Sequence, residues 1–437
     1  MKKLAPLLPL FLLLLSSCGG GGTSAGPGPG PGPNPANSGF LVLAWNDLGM
    51  HCLNPTYDKA VVLPPYNVLW AQVVKMGTPP QIVTSGVTVT YRIDNNTTSY
   101  SKRSFGQFWD NAVTLFGGLF GFANLPHDVG LKGKGLSGTM DLSADHFIAE
   151  GIPVTPLDDS RQWNPYQVAI VTVKDAQGNT IAQTRTTIPT SDEMHCDNCH
   201  GGNAFADILA KHDANNGTTL SSTTPVLCAS CHGDPALGLT SPGSSGVYLS
   251  KAMHGFHADK GAACYDCHPG HLTQCSRSVR HTAADGYCLA CHGGMAEIAN
   301  SIPAQRIPWA NEPKCAQCHP TAIPQIDTGA ALYRHTTGHG NLYCEACHGS
   351  PHAMIPSLEA ADNYQALQYQ GFTGKVKTLG SCGVCHDSSR GGGEIGDFAE
   401  QHGGASPETR IGCSMCHTSI PTTTADWPHA FQWRNSN

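Results

Sequence analysis

The sequence predicts a multidomain chain: an N-terminal all-β, sandwich-like domain over residues 39–190, then a loop-rich, mostly irregular domain with short helices over 191–437. Three observations predict it. Short β-branched runs separated by Gly and Pro turns fill the stretch before residue 190, a pattern of sandwiches rather than of helices. The pattern Cys-x-x-Cys-His occurs eight times after residue 195 and nowhere before it. Between successive motifs lie too few residues to build an ordinary apolar core.

Residues 1–18 read as a lipoprotein leader. Lys2 and Lys3 supply the charged start, Leu4 to Leu15 the apolar run, and Leu15-Ser16-Ser17-Cys18 a cleavage site before a lipid-modified Cys. The run is too short to span a bilayer, and Pro6 and Pro9 interrupt it. The expectation is an exported lipoprotein held at the outer membrane through Cys18, on its cell-surface or periplasmic face. Gly19, where Asp would retain the protein at the inner membrane, favours the outer one. Residues 19–38 alternate Gly and Pro after a Gly block, so they are expected to form a disordered tether.

Within 39–190, the runs Leu41–Trp45, Val68–Met76, Val87–Ile93 and Tyr166–Val173 read as strands. Asp175–Asn179 reads as a turn, and Thr180–Ile188 as the strand returning from it. Gly133–Gly138 matches a dinucleotide-binding glycine pattern but lacks the strand before it and the helix after it, so a surface loop is expected.

The eight motifs supply the chemistry. Their cysteines are Cys196 and Cys199, Cys228 and Cys231, Cys264 and Cys267, Cys288 and Cys291, Cys315 and Cys318, Cys344 and Cys347, Cys382 and Cys385, and Cys413 and Cys416. The adjacent histidines are His200, His232, His268, His292, His319, His348, His386 and His417. This spacing attaches c-type haem: two thiols form thioethers to one porphyrin, and the next imidazole sits under the iron. A zinc site would need two motifs per ion and leave the histidine unexplained each time, and a disulfide framework would not pair each couple of cysteines with a histidine. Eight covalent haems c are therefore expected. Successive motifs start 24 to 38 residues apart with dissimilar sequences between, so the repeated unit is a ligand set, not a solenoid. The porphyrins themselves must form most of this domain's core.

Of 22 histidines, eight lie in motifs and fourteen remain, enough for a second imidazole on every iron. Proximity to motifs selects His195, His212, His254, His257, His335, His339, His352, His402 and His429 as candidate distal ligands. His51, His127 and His146 in the β region, and His271 and His281 between motifs, rank lower. No Met recurs at a fixed offset from a motif, so mainly bis-His, low-potential haems are expected. With sixteen of nineteen cysteines on haem and Cys18 on lipid, Cys52 and Cys275 remain. They could bridge the two domains or stand as separate buried thiols.

Charged residues form 13% of the chain, the formal net charge is −7, and no basic run occurs, which excludes a nucleic-acid partner. Closely spaced haems suit an electron-transfer protein that exchanges electrons with other redox proteins or cytochromes. The alternative is a multihaem reductase acting on a small nitrogen or sulfur compound at one open haem. No motif ends in Lys, a replacement used by such enzymes, so no catalytic residue is assigned. The β domain could dock a partner or another copy of the chain.

Four stretches carry a family resemblance: Trp45–Cys52 (WNDLGMHC), Leu63–Asn67 (LPPYN), Cys264–Cys275 (CYDCHPGHLTQC) and Arg334–Ala353 (RHTTGHGNLYCEACHGSPHA). Over residues 40–430 the chain resembles the outer-surface multihaem c-type cytochromes of dissimilatory metal-reducing bacteria. The resemblance implies relay of electrons across or outside the envelope, toward extracellular acceptors such as metal oxides.

Overall fold

The computed structural model describes residues 38–77, 80–281, 288–315 and 332–370, positions 376, 378, 379, 384 and 385, and the backbone of 417–419 and 432–433. The leader, Cys18 and the tether lie outside the described residues. So do Cys318, His319, Cys382, His386, His402, Cys413, Cys416 and His429. Among the described residues no helix is long and apolar enough to cross a membrane.

The strands in chain order are β1 (Phe40–Asn46), β2 (His51–Cys52), β3 (Ala60–Val61), β4 (Asn67–Lys75), β5 (Gln81–Val83), β6 (Thr88–Ile93), β7 (Ser137–Thr139), β8 (Asp141–Ser143), β9 (His146–Ile152), β10 (Val168–Lys174), β11 (Thr180–Thr187), β12 (Thr190–Ser191) and β13 (Val226–Leu227). One sheet runs β1-β4-β9-β8, with β5 also on β4; the second runs β11-β10-β6-β7. Both are antiparallel. Alternate residues from each face a shared apolar core: Val42, Leu69, Ala71 and Phe147 from the first, Val89, Tyr91, Val171 and Val173 from the second. The region before residue 190 is thus β-rich, and the expected runs appear as β1, β4, β6, β10 and β11. The β10–β11 hairpin turns at Asp175, whose amide donates to the Asn179 carbonyl.

The first sheet is covered on both faces. Leu41, Leu43, Trp45, Val68, Trp70 and Val74, on the side away from the second sheet, pack against Tyr343, Ala346, Leu379 and Val384 of the motif-bearing region. Two-sided burial explains why β1 and β4 read as near-continuous apolar runs rather than alternating ones. Gln72 is fully buried among them, its Oε1 accepting from the Tyr343 amide at 3.0 Å and its amide donating to the Asn341 carbonyl. The β region and the motif-bearing region pack together within one unit.

The sequence reading missed β9, where Gly151 and two acidic or polar positions break the alternation, and helix α1 (Gly106–Ala112), which packs Phe108 and Trp109 beneath a second apolar cluster.

The motif-bearing region has short helices: α2 (Asp197–His200), α3 (Ala204–Asn216), α4 (Leu249–His257), α5 (Cys288–His292), α6 (Met295–Ser301), α7 (Cys344–His348) and α8 (Tyr364–Gln370). Two short parallel pairings tether it to the β region. β12 pairs with β2 just before the first motif, and β13 pairs with β3 just before the second.

Candidate functional site

Each fully described motif forms one helical turn. His200, His232 and His268 donate their amides to Cys196, Cys228 and Cys264 carbonyls at 2.9, 3.1 and 2.8 Å. The turn puts the first Cys, the second Cys three residues on and the His four residues on along one side. That is the arrangement needed to grip one flat group at two edges and its centre. After His200, His292 and His348 the chain leaves through Gly201, Gly293 and Gly349, at φ 73, 72 and 78°, a conformation that favours glycine. Of the fifth motif Cys315 is described, of the seventh Cys385, and of His417 only its backbone, in a strand.

Four motif histidines face a second histidine. Ring centres are 6.5 Å apart for His200 and His257, 6.3 Å for His232 and His212, 6.2 Å for His268 and His254, and 6.1 Å for His292 and His352. A metal–imidazole bond is about 2 Å and a ring nitrogen lies ~1 Å from its ring centre, so two imidazoles on opposite faces of one metal hold their centres about 6 Å apart. The inter-ring angles run from 15 to 80°, which this geometry permits because both ring planes contain the nitrogen–metal axis. A porphyrin supplies four equatorial nitrogens, so the protein needs to supply only two. Among the described residues no three His, Cys, Asp or Glu side chains converge as a bare-ion site would require.

The tautomers fit as well. Nδ1 of His200 donates to Asp207 Oδ2 at 2.7 Å, of His212 to Thr218 Oγ1 at 3.0 Å, and of His232 to Ser245 Oγ at 2.9 Å. Nδ1 of His254 donates to the Ser250 carbonyl at 2.7 Å, of His257 to the Met253 carbonyl at 2.8 Å, and of His352 to the Leu48 carbonyl at 2.8 Å. With Nδ1 carrying the proton, Nε2 keeps its lone pair for a metal. Burial pushes His268 and His352 down to about 4, and lowers His232, His254 and His292, so these rings are neutral at pH 7, as ligation requires.

The other candidates are placed differently. His195 faces His271 at 5.1 Å, closer than two rings on one iron, and its Nε2 lies 3.8 Å from Glu193. His335 packs on Trp70 at 5.6 Å. His339 opens a short 3-10 turn over His339–Asn341. In the β region, His51 Nε2 meets Asp47 at 2.9 Å, His127 stacks on Tyr100, and His146 stacks on Trp70 and meets Tyr343 Oη at 3.2 Å. Cys52 and Cys275 are unbridged, and burial raises both thiols, Cys275 to about 12.

Sequence reasoning missed the groups that hold the imidazoles. Asp207 is seven residues after His200, and Leu48 is 304 positions before His352, so the first had a local signal and the second none. It also missed Glu345, buried between Cys344 and Cys347, whose carboxyl burial pushes far above the usual carboxylate range.

Residues 304–387 match the family model of cytochrome c7 and related cytochrome c. The match spans the fifth, sixth and seventh motifs. No curated protein and no solved structure matches. The stretch is a cytochrome c7-like domain, which supports a multihaem c-type cytochrome that transfers electrons through covalently bound haem.

Proposed function

We propose that this protein is an exported octahaem electron-transfer lipoprotein, anchored at the outer membrane through Cys18 and a flexible tether, that relays electrons in extracellular respiration. The observation that carries the reading is the set of four motif histidines each facing a second histidine at 6.1 to 6.5 Å. Iron with two imidazoles has no free position for a substrate, which suits a conduit rather than a reductase.

Bound haem supplies one-electron exchange at iron. The chain's own residues do the rest. Motif cysteines would hold each haem covalently, the paired histidines would supply its two protein ligands, and hydrogen bonds at Nδ1 hold the rings in one orientation. The β-sandwich forms the other domain and a surface for a partner: another cytochrome, an extracellular metal or mineral acceptor, or a second copy of the chain.

Mass spectrometry of the purified holoprotein should show eight haems and a lipid on Cys18. Electron paramagnetic resonance of the oxidised form should show low-spin signals alone, and carbon monoxide should not shift the reduced spectrum. A high-spin signal with carbon monoxide binding would overturn the conduit reading in favour of a reductase with one open iron.

A further inference from the structure

α4 carries two candidate ligands, and they face different motifs. His257 faces His200 of the first motif, and His254 faces His268 of the third. Three residues apart, they are neighbours on one helix surface, with Cβ atoms roughly 5–6 Å apart. Each is clamped the same way, Nδ1 to the carbonyl one turn back, so each presents Nε2 away from the helix. The two motifs are also joined directly. The His195 amide, just before Cys196, donates to the Asp266 carbonyl inside the third motif at 3.0 Å. Glu193 accepts from the amides of His271, Leu272 and Thr273 at 3.1, 2.6 and 2.8 Å, tying the chain before the first motif to the chain after the third.

The second motif also comes near the first, Cys228 lying within electrostatic reach of Cys196, but it takes nothing from the His254–His257 end of α4. Its His232 faces His212 on α3, and its Gly233 carbonyl accepts from Leu249 at the opposite end of α4, 3.0 Å away. A nine-residue helix is about 13.5 Å long at 1.5 Å per residue.

We infer that α4 is a shared ligand helix, with His257 serving the haem of the first motif and His254 that of the third, so that these two haems are direct neighbours and the order of haems in space departs from their order in sequence. Haems held by these two motifs would then exchange electrons directly, with no need of the second motif between them. The inference rests on the haem-binding reading above, and adds to it which imidazole serves which iron.

The test uses the intact holoprotein. Nuclear magnetic resonance of the fully reduced form should connect His257 ring protons to the haem bearing the Cys196 and Cys199 thioethers, His254 ring protons to the haem bearing Cys264 and Cys267, and the two haems to each other. His257→Met and His254→Met should each convert one bis-His haem to His/Met ligation with a raised midpoint potential, and a different haem in each variant. Contacts of both rings to one haem, the reverse pairing, or no change of axial signature in either variant would overturn the assignment. Those results would leave eight bis-His haems, and the conduit reading, intact; absence of haem on the first and third motifs would sink both.

Discussion

Arg277 and Asp362 form a buried ion pair whose loss should be felt at the fourth haem motif. Their side chains are 1% and 3% exposed. Arg277 Nε and Nη2 donate to the two carboxylate oxygens at 2.6 and 2.9 Å, and Nη1 donates to the Gly49 carbonyl. Asp362 also accepts from the Thr187 and Ser357 hydroxyls. The Arg277 amide donates to the His352 carbonyl at 2.8 Å, so the pair sets the position of the ring that faces His292. Removing one partner strands a buried charge, at a cost of about 3–5 kcal/mol. Asp362→Asn keeps an acceptor oxygen, so about 3 kcal/mol is expected; Asp362→Ala leaves none, so about 5. With a urea m-value of about 3 kcal/mol/M, Asp362→Asn should lower the unfolding midpoint by about 1 M. Exchanging both partners for apolar residues, Arg277→Met with Asp362→Leu, should recover most of the loss, because no charge is then left unpaired. Urea titration followed by circular dichroism reads the midpoints, and the low-spin resonance signals read the histidine pair. An Asp362→Asn midpoint at the native value, or a double variant as unstable as the single one, would refute the reasoning.

Three further outcomes are expected. Gly49 has φ +81°, and a Cβ there would lie 3.1 Å from Ser350 Cβ and 3.2 Å from Ala353 Cβ, so Gly49→Ala should cost about 2 kcal/mol in urea unfolding through strain and crowding. Asp207→Asn removes the anion that accepts from His200, making the imidazole a poorer electron donor; the first haem's midpoint potential should rise in spectroelectrochemical titration, and Asp207→Glu should restore it. Burial raises the Glu345 carboxyl above its ordinary 4.5, so the folded chain keeps a proton that the unfolded chain releases. Stability therefore falls as pH rises above 4.5 toward the folded-state value, and Glu345→Gln should flatten that fall in urea midpoints measured from pH 5 upward.

The motifs were legible because their spacing is local: in each fully described motif five residues make one helical turn. Strands β1, β4, β6, β10 and β11 were legible because β-branched runs and the turn at Asp175 act over short range. The pairing of imidazoles was legible only as a shortlist. His212, His254, His257 and His352 were on it and each lies opposite a motif histidine, whereas His195, also on it, lies with its ring beside His271. What selects His352 for His292 is long-range contact with Leu48 and Arg277, which no sequence window contains. The two-sided burial of β1 and β4 was hidden for the same reason, since its second cover comes from residues 343–384.

The clamps at Nδ1 bear on speed. An electron arriving at iron changes its charge, and every ligand free to swing in response adds to the barrier for the hop. Six of the eight facing imidazoles are fixed by a second bond to a carbonyl, hydroxyl or carboxylate. Rings held this way would keep one orientation in both oxidation states of a bound haem, so little nuclear rearrangement would accompany each transfer. On the proposed reading, a wire of such sites would carry current with small losses even where the driving force between neighbours is close to zero, and would conduct in either direction.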